Sequence, residues 1–204
     1  YELGLTMRTP GDDHDLVLGF LHSEGVIQSL ECILSIESDD DRITVELDDS
    51  AKFNPHELTR RTTMTSSCGI CGKESISNLL HMHGPELSSD FSITHLEVGK
   101  AVTGLRSMQS TFDLTGGTHA CGRANIEGTI IDVKEDIGRH NAMDKLIGAA
   151  INKGELPIDK EVVVVSGRAS FELVQKALKA GFPIMISVGA PSSLAVDIAN
   201  EHGM

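Results

Sequence analysis

Cys68 and Cys71 form a C-x-x-C within residues 65–73, TSSCGICGK, with Gly69 between them and Gly72 just after. Two thiols at this spacing can share a metal ion, open and close a disulfide, or carry a reactive sulfur. A structural zinc site takes four ligands, usually as two spaced pairs. The next candidates after Cys71 are His81 and His83, an H-x-H tighter than the usual finger spacing, and no second C-x-x-C exists. A thioredoxin-type pair follows a strand and opens a helix. The polar RRTTMTSS before Cys68 makes no strand, although GKESISNLL after it suits a helix. A sulfur-carrying thiol is the third option. Small neighbours give reach, and Lys73, Arg60 and Arg61 would favour thiolate. A thiolate attacking a persulfide donor becomes a persulfide itself. These residues alone leave the three readings open.

A second set of chemistry-bearing residues lies in EDIGRHN, SGRAS and SVGAPSS, each after an apolar strand pattern and before a helical one. In open α/β sheets ligands bind beyond the carboxyl ends of strands. Helix-start amides beside small residues suit phosphate or another anion. Gly138, Arg139, His140, Ser166, Arg168 and Ser170 are therefore the candidate anion-binding residues, with Ser192 and Ser193 as further hydroxyls. Glu135 and Asp136 suit the positive end of a helix dipole, whereas Arg139 and His140 at the same end do not. That mismatch calls for a ligand or a carboxylate partner. TGGTHAC places His119 and Cys121 beside a double glycine, either as a second thiol site or as a buried cysteine. Cys32 reads as a buried apolar residue.

Several elements must position these groups. Residues 3–8 read as a strand, and Thr9-Pro10 as the N-cap and first position of a helix. That helix carries Leu16, Phe20 and Leu21 on one face and stops at Gly25. Residues 32–37 and 42–47 read as strands around an acidic turn. Thr94-x-x-Glu97 is a capping box opening a helix that ends near Ser110. FDLTGGTHACG reads as turn. GTIIDV, EVVVV and PIMIS are strands alternating with helices over AMDKLIGAAINKG, FELVQKALKAG and LAVDIANEHG, which implies a parallel or mixed sheet covered on both faces.

Composition bounds the reading. With 204 residues and 40% apolar residues the chain can bury a core, and with 3% aromatics that core is aliphatic. The formal charge of −13 argues against a nucleic-acid binder. No apolar run approaches a membrane span. The N-terminus shows no signal-peptide pattern, although Tyr1 leaves room for a removed leader. Four cysteines in a chain of this length make no disulfide framework, so a cytoplasmic protein with reduced thiols is expected.

MRTPGDDHDLVLGFLHSEGVI, SSCGICGKESI, TGGTHACG, EDIGRHNAMDKLIG, VVVVSGRASFELVQKA and APSSLAVDIA together resemble the FdhD family of formate dehydrogenase accessory sulfurtransferases, in order and over nearly the whole chain. The resemblance implies a sulfur carrier that takes sulfane sulfur from a cysteine desulfurase. It would deliver that sulfur to the molybdenum cofactor, as bis(molybdopterin guanine dinucleotide), for formate dehydrogenase. It makes Cys68 the persulfide cysteine and Cys71 its assistant, and implies a homodimer with no permanently bound metal. The strand-end residues become the surface for the anionic guanine dinucleotide. The implied architecture is a small α+β unit over residues 1–60, a mobile segment over 61–84 carrying the C-x-x-C, and a three-layer αβα domain with a mixed sheet over 85–204, similar to cytidine deaminases. A zinc deaminase needs H-x-E and P-C-x-x-C. Here Ala120 and Cys121 follow His119 and Ser67 precedes Cys68, so deaminase chemistry is not expected. Family members continue into a further C-terminal cofactor-binding segment, which is expected beyond Met204. The rival readings are a zinc-stabilised interaction module and a nucleotide-binding regulator that uses only the strand-end loops.

Overall fold

The computed structural model describes residues 2–39, 42–49, 51, 85, 87 and 90–204. Helix α1 (Asp13–Ser23) precedes a hairpin of β1 (Ile33–Asp39) and β2 (Arg42–Leu47). Next come α2 (His95–Ser107), α3 (Ser110–Thr115), β3 (His119–Ala124), β4 (Ile130–Asp136) and α4 (Arg139–Asn152). The chain continues through β5 (Val162–Arg168), α5 (Phe171–Ala180), β6 (Ile184–Gly189) and α6 (Ser193–Glu201).

The main sheet has the order β4-β3-β5-β6. Strand β3 is antiparallel to both β4 and β5, and β5 is parallel to β6. Strands β4, β5 and β6 therefore point the same way, and their carboxyl ends share one edge with the start of β3. The mixed sheet is as the sequence implies, and the three candidate loops all follow strand ends on that edge.

Alternation along β5 builds the two faces. Val163 and Val165 join Cys121, Leu146, Ile147, Leu173 and Ala177 in one cluster, while Val162 and Val164 join Ala101, Leu105 and Ile186 in another. Helices α4 and α5 thus cover one face and α2 the other, an αβα sandwich. Every residue of α4 from Ala142 to Ile151 is buried, because the helix lies between the sheet and α1. Helix α1, the segment after it and the hairpin meet the sheet unit through one core, with Leu18, Leu21, Val26 and Ile27 packing beside Leu146 and Ile147, and Ile33, Ile36, Val45 and Leu47 of the hairpin against them.

Two glycines make the α1–α4 crossing close. A Cβ at Gly19 would stand 1.9 Å from the Asp144 carbonyl oxygen, and one at Gly148 would stand 1.8 Å from that of Asp15. The backbones touch where any side chain would hold them apart.

The structure corrects four expectations. Residues 3–8 are an irregular arm, not a strand. Thr9 does not cap α1, which starts at Asp13 after Asp12 in the left-handed region at φ 56°. The polar groups of Thr9 are held instead by the β4 end, as described below. FDLTGGTHACG is not all turn, since α3 and the central strand β3 occupy most of it. Gly122 in β3 is a packing requirement: a Cβ there would stand 2.8 Å from Leu105 Cδ1. Strand β4 runs on through Lys134, Glu135 and Asp136 rather than ending at Val133. The Thr94–Glu97 capping box forms as expected, although α2 stops at Ser107.

Candidate functional site

The shared edge is assembled by buried polar contacts. Asp136 is fully buried at the end of β4. Its Oδ1 accepts from the Gly138 N–H at 2.9 Å and from Asn141 Nδ2 at 3.0 Å. Its Oδ2 accepts from the Thr9 N–H at 3.0 Å and pairs with Lys145 Nζ at 2.8 Å. Lys145, also buried, donates to the Thr9 carbonyl at 2.8 Å, and the Ile137 N–H donates to Thr9 Oγ1 at 2.9 Å. The N-terminal arm is thereby tied across the start of α4. Glu135 is consumed differently. It accepts from the N–H groups of Thr111 and Phe112 at 2.7 and 2.8 Å and from Thr118 Oγ1 at 2.9 Å, so it caps α3 rather than α4.

What stays at the mouth of the edge is basic. Helix α4 opens on Gly138 with no side-chain cap and no acid in its first turn. Arg139 and His140 follow, the reverse of the charge a helix start favours. The Arg139 Nε is buried, with no hydrogen-bond partner among the described residues. His140 Nε2 lies 3.4 Å from Ser170 Oγ and 3.9 Å from Glu172 Oε2. Burial pushes His140 down to about 4, Arg139 adds to the fall and Glu172 opposes it. His119, at the start of β3, is also held below the usual imidazole range, by burial and then by Arg139. Its ring lies over Gly167, with Nδ1 3.3 Å from where a Cβ would stand.

The six strand-end candidates thus divide. Gly138, Arg139, His140 and Ser170 come together where α4 meets α5. Ser166 is not free, because its hydroxyl accepts the Ala120 N–H at 2.9 Å and closes the β3–β5 ladder. Arg168 lies toward β6, with its Cγ 2.9 Å from where a Cβ on Gly189 would stand. Ser192 caps α6, accepting from the Ala195 N–H. Two contributors were not among the chosen binding residues: His119 and Glu172. His119 stood in the sequence as a thiol neighbour, and only the antiparallel insertion of β3 brings it beside α4. Cys121 is buried at 1% exposure, with its thiol 3.8 Å from the Arg139 carbonyl that it donates to. Burial, reinforced by Asp144, pushes that thiol far above its ordinary range, so it is a core residue and not a nucleophile. Cys32 is half-buried beside the same core. Cys68 and Cys71, with Arg60, Arg61 and Lys73, lie outside the described residues.

This arrangement can hold an anion: a half-buried Arg139 whose Nε has no partner among the described residues, two imidazoles and the uncapped start of α4 lie together at this edge. Among the described residues no group of three His, Cys, Asp or Glu side chains is placed to hold a metal ion.

Comparison with known proteins decides the relationship. The sequence model of the FdhD/NarQ family matches residues 1–204. The chain belongs to the FdhD/NarQ family. It is 44% identical to the sulfur carrier protein FdhD of Nocardia farcinica, over 99% of this chain and 75% of that one. It is 38% identical to the protein of the same name from Saccharolobus solfataricus, over 100% and 76%. The crystal structure of a protein described as a formate dehydrogenase accessory protein, from Desulfotalea psychrophila, superposes with a TM-score of 0.72 at 27% identity, over 97% of this chain and 73% of that one. The αβα architecture is therefore shared with a family member as well as read from the strand pattern. No helix among the described residues is long and apolar enough to cross a membrane.

Proposed function

We propose that this protein is a sulfur carrier serving formate dehydrogenase. The Cys68 thiolate attacks the outer sulfur of a persulfide on a cysteine desulfurase. The sulfur–sulfur bond of the donor breaks, the donor cysteine leaves as thiolate, and Cys68 becomes the persulfide. Cys71 then attacks the inner sulfur of Cys68, which releases the outer sulfur as sulfide to the molybdenum cofactor and leaves a Cys68–Cys71 disulfide. The pair of thiols thus supplies the two electrons that reduce sulfane sulfur to sulfide. The cofactor, bis(molybdopterin guanine dinucleotide), is substrate here. Its phosphates are assigned to the edge formed by Gly138, Arg139, His140 and Ser170, with Arg168 at its β6 side.

One observation carries the reading: the whole chain matches a family whose curated members are named sulfur carriers, and it contains a C-x-x-C. The unspent basic groups at the strand ends support the ligand part. Persulfide chemistry on free thiols also favours the cytoplasm, and the homodimer implied by the resemblance belongs to the same proposal.

Incubation with a cysteine desulfurase and cysteine tests it by mass spectrometry of the intact protein. Wild type is expected to gain one sulfur (+32 Da, about the mass of one sulfur atom), mapped to Cys68, and Cys68→Ala to gain none. Equal labelling of both proteins overturns the assignment. Stoichiometric zinc in the purified protein, with unfolding on chelation, would replace it with a zinc-stabilised module. Full support of formate dehydrogenase by a Cys68→Ala/Cys71→Ala variant would replace it with a nucleotide-binding regulator.

A further inference from the structure

His119, Arg139 and His140 come from two elements, the start of β3 and the first turn of α4, and stand close enough at the shared edge for their charges to act on one another. Among the described residues the charged groups near them are few. From α5, Glu172 lies 3.9 Å from His140 Nε2. Lys176 of the same helix also acts on His140 electrostatically, but its ammonium is already held by Asp144 of α4, at 2.6 and 2.8 Å from the two carboxylate oxygens. On the β4 side, Asp136 is spent on Lys145 and three hydrogen bonds. Among the described residues one carboxylate, Glu172, therefore stands beside His140, in a group of three that would all be cationic if both imidazoles were protonated. The Arg139 guanidinium, with its buried unpartnered Nε, is the permanent charge among them.

We infer that this edge takes up its anion together with a proton: His119 and His140 stand neutral in the free protein, and one proton from solvent settles on the pair when a phosphate- or sulfate-class dianion docks against Arg139. The inference rests on the anion reading of the edge given above and adds its regulation. The physical reason is charge balance in a poorly hydrated place. Burial and the Arg139 charge hold both imidazoles below their ordinary range. A dianion reverses that field, because an opposite charge nearby favours the charged form of a titrating group. Arg139 and one imidazolium then balance the two negative charges, while Glu172 keeps the second imidazole from full isolation. Binding strengthens as pH falls through the anion-raised midpoint toward the lower midpoint of the free protein, and the dependence comes from the protein because sulfate itself does not titrate there.

Imidazole Cε1–H NMR on the full chain tests this, with sulfate as the probe. His119→Gln and His140→Gln assign the two resonances among the nine histidines. In chloride both midpoints are expected below the ordinary value, His140 the lower. In about 100 mM sulfate against chloride of equal ionic strength, at least one midpoint should rise by about one pH unit or more, and Arg139→Gln should abolish the sulfate effect. Amide shifts at residues 139–141 report binding independently. Sulfate-dependent amide shifts with unmoved histidine midpoints overturn the proton linkage and leave the anion edge standing. Neither change overturns both.

Discussion

Substituting Gly148 by alanine tests the packing that sets α4, and with it the position of Arg139 and His140. The new Cβ would stand 1.8 Å from the Asp15 carbonyl oxygen. An ordinary carbon–oxygen contact is about 3.3 Å, so α1 and α4 must part by about 1.5 Å. The obstacle is backbone in a helix and cannot swing aside. Parting the helices opens the layer of Leu18, Leu21, Met143 and Ile147, all at 2% exposure or less. Overpacking usually costs about 1–3 kcal/mol, and a rigid clash belongs at the top of that range. Alanine returns about 1 kcal/mol of helix propensity, leaving a net loss of about 2 kcal/mol. Gly99 in α2 provides the contrast, since a Cβ there meets nothing within 4 Å. Gly99→Ala should gain about 0.5–1 kcal/mol. The two variants should therefore differ by roughly 3 kcal/mol, or about 6–12 °C in Tm for a chain of this length. Urea unfolding followed by circular dichroism measures both. A Gly148→Ala protein as stable as Gly99→Ala would refute the crossing geometry.

Other outcomes follow from the same contacts. Lys145→Met should cost about 3–5 kcal/mol by leaving Asp136 buried without its cation, and Asp136→Asn/Lys145→Met should recover much of that loss, read by urea midpoints. Glu135→Gln replaces a charged cap on three donors with a neutral one, and should cost about 1 kcal/mol by the same measurement. His22 and His140 are each pushed down to about 4 from 6.5, chiefly by burial. The unfolded chain therefore binds protons first, so stability should be full above pH 6.5 and fall as pH drops toward 4. His22→Gln should reduce that slope in urea titrations at stepped pH. Cys121 should resist iodoacetamide at pH 8 in the native protein and react once it is unfolded in urea, read by peptide mass spectrometry.

Much of the architecture was legible because it rests on local pattern. The run Val162–Val165 is apolar on both faces, which demands a strand covered on both sides, and the structure covers it with α5 and α4 on one side and α2 on the other. Gly181 after ALKA marked the end of α5, and it adopts φ 92° there. The misread segments were those whose local signals answer to distant residues. HACG looks like turn chemistry, yet Gly122 is small because Leu105 needs the space. Thr9-Pro10 looks like a helix start, yet Thr9 is held by Asp136 and Lys145, more than a hundred positions away.

The site divides along the same line. Residue types and order were enough to mark Cys68 and Cys71 as a candidate thiol pair, to name Arg139, His140 and Ser170 as candidate anion ligands at strand ends, and to point to the family. Tertiary structure alone decided which of the candidates are free to act. It spent Glu135 on α3, Asp136 on Lys145 and Thr9, and the Ser166 hydroxyl on β3. It brought His119 to Arg139 by inserting an antiparallel strand between two parallel ones. The reason is that a polar group's availability depends on every partner within hydrogen-bond reach, and those partners come from parts of the chain that no local pattern connects.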